Sequence, residues 1–319
     1  MLKSTAAKEA LRDIIRRFLT GRAGHICRAG AGCVLLMVMI GLLLPAAPAQ
    51  AIIRRHDVDD TQYRQDEGAY PAVFQIFPGR GGVGTLIAPQ WFLTAAHVGQ
   101  DIAAGQEVTL GGEQYTVVQV ILHPEWETNL VEAALVQLDR PVSGVDPVPP
   151  YSGNDELGQV MTFVGQGDTG TGLTGPTTAD GHLRAATNRV ERVEGDMLVF
   201  RFDAPEDEGV TPLEGISGPG DSGGPALLET PEGLRLAGLS VAQDSAGRER
   251  GTYGVWEFYS RVSRFVPWIE ETLQQAPLVE APRPASDSTW LLYVIVAVIV
   301  VVALLAGVFR SQILPGRRR

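Results

Sequence analysis

From Tyr70 onward the chain is a succession of short apolar runs broken by clusters of Gly, Pro, Asn and Asp, which excludes any fold built from long helices. The first set of runs covers residues 72–76, 84–87, 107–110 and 115–122, and the second covers 160–164, 197–202, 226–228, 234–241 and 256–262. Runs of this length and spacing belong to an all-β barrel or sandwich. The 37 Gly and 21 Pro among 319 residues supply the turns such a fold needs. Residues 142–158, rich in Pro, Gly and Asp, read as a linker between two similar β units. Only 263–274 has a helical signature, with Ser263 as N-cap and Phe265, Trp268, Ile269 and Leu273 on one face. A chain of this length can bury a sizeable core.

The two ends carry membrane signals. Residues 1–51 open with Lys3, Lys8, Arg12, Arg16, Arg17, Arg22 and Arg28. A short apolar run and small residues follow, so the segment reads as a signal peptide cleaved after Ala49 or Ala51. An uncleaved anchor over 31–49 is the alternative, although that run is short for a span. Residues 290–309 are apolar without a charge and about 30 Å long as a helix, which matches a bilayer. Asp287 precedes them, while Arg310, Arg317, Arg318 and Arg319 follow. The positive-inside rule therefore puts the 310–319 tail in the cytoplasm and the domain at 52–274 on the extracytoplasmic side, behind a Pro/Ala-rich stalk at 275–289.

Both cysteines, Cys27 and Cys33, fall in the leader, so residues 52–319 can form no disulfide. Of the formal charge of −11, residues 1–51 contribute +5 and residues 310–319 contribute +4, so residues 52–309 carry −20. Nucleic acid is disfavoured as a partner, and electrostatic steering favours cationic proteins.

The sharpest chemical signal is Gly220-Asp221-Ser222-Gly223-Gly224-Pro225. A serine between glycines on a tight turn can present its hydroxyl while adjacent N–H groups converge on a developing oxyanion. A glycine-rich turn alone does not establish this. Leu93-Thr94-Ala95-Ala96-His97, however, ends an apolar segment with small residues and a candidate general base.

Together these segments closely resemble the trypsin/chymotrypsin family, whose motifs read TAAH and GDSGGP. The resemblance continues through Gly84-Thr85-Leu86-Ile87, through 132–138 ahead of Pro141-Val142, and through 259–263 before Trp268-Ile269, covering about residues 52–272 in the family's order. It implies two six-stranded β-barrels, at about 52–150 and 151–262, with a C-terminal helix. Rival folds fail on chain order. An α/β-hydrolase needs a histidine after its nucleophile, and the last one here is His182. A subtilisin-like order could recruit Asp57, but the alternation of helix and strand is missing.

The resemblance also implies roles. His97 would be general acid/base, Ser222 the nucleophile, and the N–H groups of Gly220 and Ser222 the oxyanion hole. Glu132 stands where the family has an aspartate. The extra methylene means that it must bend or the histidine must shift, and on this reading Glu132→Asp retains or raises activity. Ile216, six residues before the nucleophile, would sit at the base of the specificity pocket with Ser217 and Ser240. Ile216 is neither acidic nor small, which gives no basis for a preference for Arg or Lys. Ser240 would also bond the acid. Glu257 joins the pocket if the strand ending at Val262 aligns without a gap, and leaves it if Gly254-Val255 is aligned instead. Ile52 and Asp221 would form the activation pair once a cut after Ala51 exposes Ile52-Ile53. The activity implied is that of a serine endopeptidase acting on proteins or peptides without metal or cofactor. The competing reading is a catalytically silent domain that binds a protein partner at the surface.

Overall fold

A computed structural model describes residues 52–276, apart from 130, 178–179 and 246. The expected leader, span and cytoplasmic tail, and the stalk beyond Ala276, lie outside the described residues. Among the described residues no helix is long and apolar enough to cross a membrane.

The chain begins with β1 (Ile53–Arg54) and then lays down β2 (Val73–Phe77), β3 (Gly81–Ala88), β4 (Trp91–Thr94), β5 (Glu107–Leu110), β6 (Glu113–Leu122) and β7 (Ala134–Leu138). The last six form one antiparallel sheet in the order β2-β3-β4-β7-β6-β5, and its edge strands β2 and β5 pack together, so the sheet rolls nearly shut. Alternation does the sorting. In β5, for example, Val108 and Leu110 point inward and their neighbours outward. The interior holds Phe74, Leu86, Phe92, Tyr115 and Val136, with Phe74 and Phe92 edge-to-face at 5.0 Å. Each such side chain, fully buried, contributes about 1.5–3 kcal/mol.

The second half contains β8 (Val160–Gly165), β9 (Gly170–Thr171), β10 (Gly175–Pro176), β11 (Arg184–Glu194), β12 (Met197–Arg201), β13 (Gly215–Ile216), β14 (Pro225–Thr230), β15 (Gly233–Asp244) and β16 (Trp256–Arg261). Six of these close a barrel in the order β11-β12-β16-β15-β14-β8, around Phe163 stacked on Tyr259 at 4.6 Å. A separate four-stranded sheet, β10-β9-β1-β13, places the start of the described chain between two strands of the second half. The two six-stranded units expected from the sequence are thus present.

Among the described residues three short α-helices complete the domain: α1 (Ala96–Gly99), α2 (Trp126–Asn129) and α3 (Val266–Gln275). A shared cluster joins Leu93 and Leu135 of the first sheet, Leu227 and Leu239 of the second barrel, and Phe265 and Ile269 at the closing helix. The helix starts later than the sequence suggests, and Ser263 does not cap it. The Ser263 hydroxyl donates instead to buried Glu156 Oε1 at 2.7 Å, and Glu156 also takes two bonds from Arg261. Ser263 lies inside a 3-10 turn over Val262–Arg264, which sets Phe265 at the N-cap position of the helix.

Candidate active site

β4 and β7 are antiparallel neighbours with Thr94 opposite Ala134, so the residues that follow β4 run beside those that precede β7. This register brings His97 and Glu132 together. Glu132 Oε2 accepts from both the backbone N–H and Nδ1 of His97, each at 3.0 Å. A carboxylate here can only accept, so Nδ1 carries the proton and Nε2 is left as an acceptor. The extra methylene of glutamate is therefore accommodated. Ala95 and Ala96 are fully buried, and the Thr94 hydroxyl donates to the Val83 carbonyl at 2.7 Å, which anchors the strand that delivers the imidazole.

Ser222 lies on a turn that demands glycine, with Gly220 at φ +98° and Gly223 at φ +77°. The carbonyls of the two peptides that lead into Gly220 and Ser222 are committed: Pro219 O accepts from Asp168 N at 2.6 Å and Asp221 O from Gly224 N at 2.8 Å. In a trans peptide the N–H points opposite to the carbonyl, so the Gly220 and Ser222 N–H groups face the other way. Among the described residues neither donates to a protein acceptor. The turn is tied to β3 by Gly82 N to Gly220 O at 2.9 Å and by Val83 N to Ser222 O at 2.8 Å. A Cβ on Gly223 would strike Thr94 Oγ1 and come within 3.0 Å of Ala95 N, which measures how closely the serine turn abuts the histidine segment. The Ser222 hydroxyl makes no hydrogen bond to the imidazole, a contact that commonly tightens only when substrate binds.

Asp221 is 1% exposed. Its Oδ2 accepts from Ile52 N at 3.1 Å and Gly218 N at 2.8 Å, and its Oδ1 from Gly167 N at 2.7 Å. Burial pushes its pKa up to about 6 in spite of these bonds. Ile52 and Ile53 point inward. The two arginines that follow are half-buried: Arg54 Nη1 donates to Val58 O at 2.9 Å and Arg55 pairs with Asp57 at 2.6 Å. Ile52 has φ +64°, a left-handed conformation that β-branched residues rarely adopt.

Ser222 opens onto a cleft lined by Ser217, Gly218, Ser240, Gln243 and Arg250. Ile216 is not on its wall, contrary to the expectation from chain spacing. β13 pairs with β1, setting Ile216 opposite Ile53, and its side chain is fully buried with Phe202 and Val255. Ser240 bonds the Ser217 hydroxyl at 2.9 Å rather than Glu132. Behind Ser217 lies Glu257, 1% exposed, to which Ser217 donates its N–H at 3.1 Å and its hydroxyl. Among the described residues no group of three or more His, Cys, Asp or Glu is placed to hold a metal ion.

Burial raises Glu257 from its ordinary 4.5 to about 8 and Glu214 to about 7. These acids stay protonated in the folded chain after they have ionised in the unfolded one. Their contribution to stability therefore falls as pH rises from about 4.5 to 8 and levels off above. Urea midpoints should decline across that window, and Glu257→Gln should flatten the decline. An unchanged slope in the variant would assign the effect to other groups.

The paired six-stranded sheets, with His97 and Ser222 brought to one junction by different halves, define the chymotrypsin-like fold. The chain belongs to the trypsin family: a family model described as Trypsin matches residues 60–269, more than half of its length. Mast cell protease 3 of Ovis aries is 28% identical over 265 residues, covering 76% of this chain and 97% of that protein. Complement C1s subcomponent of Sus scrofa is 29% identical over 245 residues, but the match spans only 34% of that longer protein. Among solved structures, neuropsin, a serine protease expressed in the limbic system of mouse brain, aligns with TM-score 0.52 and 20% identity over 66% of this chain and 98% of that one.

Proposed function

We propose that the protein is a serine endopeptidase. In this reading His97 Nε2 takes the Oγ proton as Ser222 attacks the scissile carbonyl, and the oxyanion forms against the Gly220 and Ser222 N–H groups. The intermediate expels the amine with a proton from Nε2. Water then enters by the same steps in reverse and releases the acid from Ser222. The observation that carries the reading is Glu132 Oε2 accepting twice from His97, which in the neutral imidazole leaves Nε2 as the base. Substrates are proteins or peptides. The apolar segment at 290–309 would hold the domain at the extracytoplasmic face of a membrane.

A fluorophosphonate probe tests this directly. Processed protein should be labelled on Ser222, and Ser222→Ala should abolish the label. Folded wild-type protein that takes no label would instead support the silent, partner-binding domain.

A further inference from the structure

Arg184, at the first position of β11, is 1% exposed and lies 124 residues from one of its partners. Its guanidinium makes paired bonds to two carboxylates. Nε and Nη2 reach Asp60 Oδ1 and Oδ2, both at 2.8 Å, while Nη1 and Nη2 reach Asp180 Oδ1 at 2.8 Å and Oδ2 at 2.7 Å. Asp60 also accepts from Arg64 Nε at 2.6 Å and lies 3.0 Å from Arg54 Nε, the latter an ion contact without hydrogen-bond alignment. Burial would raise Asp60, but the bonds from Arg184 and Arg64 outweigh it and hold its pKa at about 2, so the network persists at any ordinary pH.

The partners belong to the two segments that frame the serine turn. Asp60 lies in the stretch that follows β1, and that stretch is pinned again by buried Tyr63, whose hydroxyl donates to Glu214 O at 2.9 Å. Asp180 follows the β9–β10 hairpin. Residues leading into that hairpin touch the turn directly, through Gly167 N to Asp221 Oδ1 at 2.7 Å and Asp168 N to Pro219 O at 2.6 Å. Thr169 Oγ1 donates to Ile52 O at 2.9 Å, which joins the two segments to each other. Arg184 itself is fixed to the barrel, opposite Gly165 of β8. One guanidinium thus fastens both segments that frame the serine turn to a closed sheet.

We infer that Arg184 is a positioning residue, which holds the β1 segment and the β9–β10 hairpin so that the Gly220 and Ser222 N–H groups keep their aim. The inference rests on the proposed endopeptidase reading. A buried ion network is a poor source of stability, since apolar replacements of similar volume are often neutral. Its value lies in geometry, because paired bonds from a planar guanidinium fix distance and angle together.

The test is the rate of phosphonylation of Ser222 by a fluorophosphonate, measured well below each variant's melting midpoint, with hydrogen exchange read at 218–222. Arg184→Met should slow labelling by up to about 100-fold and raise exchange in that segment selectively. Arg184→Lys, which keeps the charge without the fork, should fall between. Labelling and exchange at wild-type levels in Arg184→Met would overturn the inference. If that variant does not fold, Asp60→Asn keeps the Asp180 pair and must still slow labelling several-fold, and a wild-type rate there overturns it too. A wild type that takes no label would remove the endopeptidase reading, while the exchange measurement would still decide whether Arg184 orders the turn.

Discussion

Glu132→Gln is expected to lower kcat by about 10³- to 10⁴-fold, the loss that follows when the acid of this catalytic arrangement is neutralised. The amide can still accept from His97, but it carries no charge to stabilise the imidazolium, and its NH2 can select the wrong tautomer. Glu132→Asp should also lose activity, reversing the expectation from sequence. Oε2 already meets both His97 donors at 3.0 Å, and removing a methylene withdraws it by about 1.5 Å, one C–C bond. Steady-state kinetics of the two variants decide the point. A Gln variant within a few-fold of wild type would show that Glu132 does not support the histidine.

The second large effect belongs to Asp221. In a chain that begins at Ile52, the atom 3.1 Å from Asp221 Oδ2 is an α-ammonium rather than a peptide nitrogen. An ammonium would hold the carboxylate ionised, against the burial that otherwise lifts it to about 6. The strain at Ile52 points the same way, because φ exists only while Ala51 is attached, and cleavage there abolishes the torsion that is held at +64°. Asp221→Asn in processed protein leaves a buried ammonium unpaired, a penalty of about 3–5 kcal/mol. If the oxyanion turn must be re-formed against that penalty, kcat/KM falls by about 10²- to 10⁴-fold. On the proposed endopeptidase reading, cleavage after Ala51 would then itself generate the active form. N-terminal sequencing of active protein should read Ile52-Ile53, and a fully active form that starts at Gln50 or upstream would rule the pairing out.

Much of this was legible in one dimension. The β5 alternation, the glycines at 220 and 223, and the small residues before His97 each express a local demand for pleat, for positive φ or for close approach. The Glu132 position was implied by the family resemblance, and the β4 and β7 register, continuous up to Ala134, brings it beside His97. What escaped was decided by partners remote in the chain. β11 does not read as a strand because its inward face carries Arg184 and Asn188, whose burial is tolerable only with Asp60, 124 residues away, beside the one and the carbonyls of Arg201 and Gly215 on the other. Ile216 stands six residues before Ser222 in sequence, yet pairing with β1 turns it into the core, while Ser217 and Ser240 bond each other beside the cleft. The sequence by itself therefore determined the β architecture, the serine turn and the histidine, which local sterics and periodicity specify. Only the tertiary structure decided which buried polar group each donor meets, because an unpaired charge costs several kcal/mol wherever its partner lies along the chain.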